Sequence, residues 1–183
     1  MSMVTSRALM SLACSLVLIS SAHAYEALDN DLIRFGTGAE ASVNATGTLQ
    51  QPFYYDATLT NWYKLTFSTY PLDIALAIDG DGSSDWNING TILDTNTANY
   101  ALTGQTLDVS GFTATSGSKG YGTIISTGTV TIAGKALQVQ NTYALEAGKS
   151  FITLTTKVTN TSGASVSNLR VWVGTRDDYV GTS

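Results

Sequence analysis

Histidine and cysteine occur once each in this chain, at His23 and Cys14, and both fall within its first 24 residues. Those residues read as an export signal. Arg7 gives a positive start, and residues 8–19 form an apolar run too short to cross a bilayer. Ala22-His-Ala24 then offers the small residues that a signal peptidase needs. A lipid-attachment box at Ser11-Leu-Ala-Cys14 fits less well, because Ser11 stands where a large aliphatic residue belongs. Cleavage after Ala24 removes 24 of 183 residues and leaves 159, enough for one domain with a proper core. That domain, residues 25–183, has no thiol, no disulfide and no imidazole. Ser-His-Asp and Cys-His catalysis are excluded, as are zinc sites built on those ligands.

Other shortages narrow the reading further. Prolines number two, and charged residues make up 13% of the chain. With Arg7 gone, eight basic residues face fourteen acidic ones, a net charge of −6 that is scattered rather than blocked. That balance suits a soluble exported protein and argues against a nucleic-acid partner. No later stretch holds eighteen uninterrupted apolar residues, so no transmembrane anchor is expected and the protein should be secreted or held at the cell surface.

What is present has the texture of strands. Threonine, serine, glycine and asparagine are abundant, and no window after the signal keeps apolar residues at helical spacing. In residues 72–79, Leu72, Ile74, Leu76 and Ile78 alternate with Asp73, Ala75, Ala77 and Asp79, the mark of a strand with one buried face. Residues 32–35, 53–55, 62–67 and 107–114 read as further short strands. Residues 39–49 are softly alternating, and residues 94–105 read as loop. Glycines divide residues 120–128 from 129–133 and suggest bulges. Residues 137–145, 151–159 and 166–174 complete the set. Roughly nine to eleven strands with frequent turns point to an all-β, antiparallel β-sandwich. The closing residues, WVGTRDDYVGTS, have the texture of a strand leaving a sheet, so the chain is expected to be the amino-terminal piece of a longer protein.

At residues 157–171, KVTNTSGASVSNLRV resembles a strand-turn-strand of bacterial extracellular β-sandwich domains. Immunoglobulin-like surface modules use such pairs, and so do mutarotase-like supersandwich domains attached to carbohydrate enzymes. The resemblance covers about fifteen residues, implies fold and setting, and carries over no site residue.

Three constellations could carry chemistry. Asp79, Asp81 and Asp85 place three carboxylates on a glycine-broken loop, which suits the six to eight oxygens that calcium takes. The EF-hand pattern fails there in either register, and a solvated acidic turn leading to an Asn89-Gly90 hairpin is the plainer reading of the same residues. Trp62, Trp86 and Trp172 form the second set: aromatic rings on a sheet face stack on sugars, or else pack in a core if both faces are covered. In the third, Arg176-Asp177-Asp178-Tyr179, adjacent carboxylates point to different sides of an extended chain. A glycosidase needs two carboxylates about 5–10 Å apart. An exported, non-catalytic module for glycan or matrix contact, calcium-stabilised through the acidic loop, is the first reading. The alternative is a β-sandwich segment of a carbohydrate-active enzyme working through carboxylates. Oligomeric state is not written in the sequence.

Overall fold

The computed structural model describes residues 25–66, 72–78, 86–87 and 102–174. The expected export signal with Cys14 and His23, the acidic loop, the expected Asn89-Gly90 turn and the Arg176-Asp177-Asp178-Tyr179 run lie outside them. Among the described residues every regular element is a strand and none is a helix.

Three sheets carry these strands. The large one joins β1 (Ala27–Leu28), β7 (Thr103–Ser116), β8 (Lys119–Ile132), β9 (Lys135–Leu145) and β10 (Ile152–Asn160). Its neighbours are antiparallel except that β1 runs parallel to β8, Ala27 beside Lys119 and Leu28 beside Gly120. The sheet is therefore mixed, where a purely antiparallel one was expected. Because β7 already occupies one edge of β8 at Lys119 and Gly120, β1 takes the other edge, just beyond the end of β9. A second sheet has β2 (Ile33–Phe35), β3 (Pro52–Asp56) and β4 (Asn61–Lys64) in that order. The third places β5 (Asp73–Ala77) between β6 (Trp86–Asn87) and β11 (Arg170–Gly174).

The expected break at residues 128–129 does not occur, and β8 runs through it as one strand of 14 residues. Glycine costs a strand some stability but does not end one when both edges are paired, as they are here by β7 and β9. The irregularity falls instead on β7, where the register to β8 shifts three times. Residues 103–105, expected as loop, belong to that strand. Ala133 and Gly134 turn β8 into β9 with φ of 48° and 76°, the two left-handed positions of a type I′ hairpin.

Alternation predicts the buried face of the large sheet well. Ile124, Val130 and Ile132 on β8 share it with Leu137, Val139, Tyr143 and Leu145 on β9, all buried. It supports two apolar clusters. One gathers Ile74, Leu76, Ile78 and Leu102 over Val130, Leu137 and Val139. The other gathers Leu28, Ile33, Phe35, Val43 and Leu49 over Ile124, Tyr143 and Leu145. Each fully buried aliphatic side chain contributes about 1.5–3 kcal/mol from apolar transfer. Between the clusters runs a polar row, Ser126–Asn141–Thr156, across three strands. It is satisfied internally: the Thr156 hydroxyl donates to Asn141 Oδ1 at 2.9 Å, and Gln105 Nε2 donates to Ser126 Oγ at 3.2 Å.

That row and its neighbours fasten the loop at residues 44–48. The Tyr143 hydroxyl donates to the Gly47 carbonyl at 2.7 Å, and Gln105 Nε2 donates to the Asn44 carbonyl at 3.1 Å. Gly47 sits at φ 88°, and an added Cβ would stand 2.5 Å from Leu102 Cδ1, so only glycine fits. Residues 39–49 form no strand beyond a single bridge between Val43 and Leu49. The one-faced expectation for residues 72–79 also fails, since Ala75 and Ala77 are as fully buried as Ile74 and Leu76. With both edges paired by β6 and β11, β5 is also buried on both faces.

Candidate functional site

The β2–β4 sheet assembles the strongest candidate. Ile33 and Phe35 point inward and are buried, so alternation sends Arg34 outward. Register then decides its company. Arg34 lies opposite Phe53, which lies opposite Lys64, and Tyr55 lies opposite Trp62. Facing residues on neighbouring strands share a side, so Arg34, Phe53, Tyr55, Trp62 and Lys64 form one outer face. Tyr54 and Tyr63 take the inner side, stacked with centroids 5.6 Å apart, and Tyr54 packs on the core.

Packing within the outer face is specific. The Arg34 guanidinium carbon lies 4.3 Å from the Trp62 ring centroid and 5.0 Å from that of Phe53. Cation–π attraction of this kind contributes about 0.5–2 kcal/mol and fixes both ring and cation. Tyr55 and Trp62 meet at 5.3 Å with their rings tilted by 55°. All five residues are half-buried. Burial lowers the Arg34 pKa from its ordinary value, and the carboxylate of Asp29 acts in the opposite sense. Asp29 is itself engaged with Lys119 Nζ at 3.1 Å, its side chain 1% exposed. Its Oδ2 makes no well-directed hydrogen bond, and the close Nζ marks this as an ion pair rather than a stray buried charge. Below the face the hairpin is fixed by Asp56 Oδ1, which accepts from the backbone N–H groups of Thr58 and Leu59.

The other tryptophans sit elsewhere. Trp172, on β11, pairs with Ala75, while Trp86, on β6, pairs with Ala77. They therefore flank β5 within the third sheet, apart from the strand that carries Trp62. Trp172 is half-buried and its indole folds over its own strand, since a Cβ on Gly174 would stand 2.8 Å from Trp172 Cζ2. Asp79, Asp81 and Asp85 lie outside the described residues. Asp29 is the one buried carboxylate among the described residues, so a pair facing one groove is not assembled from them.

A concavity of about 270 Å³ opens beside this sheet, lined by Ile33, Phe35, Pro52, Leu72, Phe151 and Ile152, with Thr66 and Ser150 as its polar residues. It is an apolar hollow with little to orient a polar ligand. Sequence reasoning singled out Trp62 but missed Arg34, Phe53, Tyr55 and Lys64. The signal was there in part: an arginine alternating between Ile33 and Phe35 must leave the core. What it would meet depended on a register that spacing does not give.

No protein-family model, curated protein or solved structure matches this chain.

Proposed function

We propose that this protein is an exported, non-catalytic β-sandwich module, of supersandwich or immunoglobulin-like type, that binds glycan or extracellular-matrix carbohydrate. The observation that carries this reading is the outer face of the β2–β4 sheet. Phe53, Tyr55 and Trp62 place three half-buried aromatic residues on one face, and packing of Arg34 on Phe53 and Trp62 and of Trp62 on Tyr55 presets their positions. A surface ordered before the ligand arrives loses little conformational freedom on binding. Sugar rings present an apolar C–H face to aromatic rings and hydroxyl groups to the cations beside them. Export rests on the sequence of residues 1–24, and calcium stabilisation on the Asp79, Asp81 and Asp85 loop.

The test is a glycan array probed with the purified protein, with calcium and with chelator, alongside Trp62→Ala and Tyr55→Ala. Each variant should weaken binding about tenfold or more, as loss of a stacking aromatic does at a hot spot. A calcium-stabilised fold should melt at lower temperature in chelator. Folded protein that binds no glycan, or binds equally well without the Trp62 ring, would remove the reading.

A further inference from the structure

We infer that the preferred ligand of this face is an acidic polysaccharide carrying uronate carboxylates. This rests on the carbohydrate-binding reading above and adds the charge of the sugar. Two of the five side chains, Arg34 and Lys64, are cations and none is an acid, in a chain whose formal net charge is −5. A cationic face on an acidic protein is a local feature, not a consequence of composition. Two carboxylates on or beside these strands are already engaged. Asp29 is shut inside with Lys119, and Asp56 is held by its own turn.

Arg34 is built to receive an anion. Its Nε is buried with no hydrogen-bond partner among the described residues. The ring of Phe53 on one strand and that of Trp62 on another hold the guanidinium in place. A planar fork fixed in this manner matches a carboxylate in bidentate fashion, which an ammonium does not. A uronate supplies both halves of the match: a C–H face for Trp62 or Tyr55, and a carboxylate for Arg34. Lys64 lies two strands from Arg34, roughly 9–10 Å at the usual strand spacing.

Calorimetric titration of the purified protein with oligogalacturonate, its methyl ester and a sulfated glucan tests this without a variant. The free acid should bind at least tenfold more tightly than the ester, the loss expected when one charge-assisted pair is removed. Its affinity should fall as salt rises. Arg34→Lys, which keeps the charge and loses the fork, should weaken the acid severalfold more than it weakens the ester. Equal binding of acid and ester overturns the inference while leaving the carbohydrate reading standing. Tighter binding of the sulfated glucan overturns the assignment to carboxylate. No binding to any of the three, together with silence on the neutral array, removes both.

Discussion

Replacing Tyr143 by phenylalanine removes one oxygen from the inner face of the large sheet and leaves the ring in place. The lost bond is the 2.7 Å donation to the Gly47 carbonyl. Asn141 Nδ2, at 3.5 Å, is too distant to replace it. A buried acceptor left in this state costs about 1–2 kcal/mol. For a chain of 183 residues that lowers the melting temperature by about 2–8 °C. The same phenol gives a second, independent signature. Burial pushes its pKa well above the ordinary value of 10.0. A folded-state pKa above the unfolded one means that the stabilisation is complete below pH 10 and is lost as pH climbs beyond it. Relative to Tyr143→Phe, the parent should then lose about 1.4 kcal/mol per pH unit. Starting 1–2 kcal/mol ahead, it should meet the variant near about pH 11. Other tyrosines and lysines titrate in both proteins and cancel in the difference. Urea unfolding followed by circular dichroism from pH 7 to 11.5 measures both effects. Curves that stay parallel above pH 10, or that coincide at pH 7, would refute the assignment of Tyr143 as a buried donor.

Three further outcomes follow from the packing. Gly47→Ala should cost about 2–5 kcal/mol, adding a left-handed backbone penalty to overlap with Leu102, whereas Gly134→Ala, with open space around it, should cost about 1–2 kcal/mol; thermal melts of the pair separate the two contributions. Lys119→Met should destabilise by about 1–3 kcal/mol in denaturant titrations, because it leaves the buried Asp29 carboxylate without its cation. Leu137→Ala should cost about 2–5 kcal/mol, as a fully buried leucine between β8 and β10 has no neighbour free to fill its space, and an effect below 1 kcal/mol would contradict the core assignment.

The all-β character could be read from the chain alone, and so could the inner residues of β8 to β10. Strand alternation has a fixed period of two, and water sorts the two faces with no reference to distant sequence. Composition alone also removed histidine and cysteine chemistry from residues 25–183. The sequence even displayed an anomaly it could not explain: Asn141 sits in the apolar series with Val139 and Tyr143. Tertiary structure supplies the reason, since Asn141 lies in the polar row between the two clusters and accepts from Thr156.

Residues 72–78 mark the limit of alternation. Alanine is apolar enough to be buried and small enough to be exposed, so Ala75 and Ala77 gave no sign that β5 would be covered on both faces. The candidate site lay further out of reach. Arg34, Phe53 and Trp62 stand on three strands separated by loops, and only the register of those strands makes them one surface. Local pattern says which way a side chain points. Which side chains it meets is a property of strand pairing, and pairing is fixed by the energy of the whole sheet rather than by any segment of it.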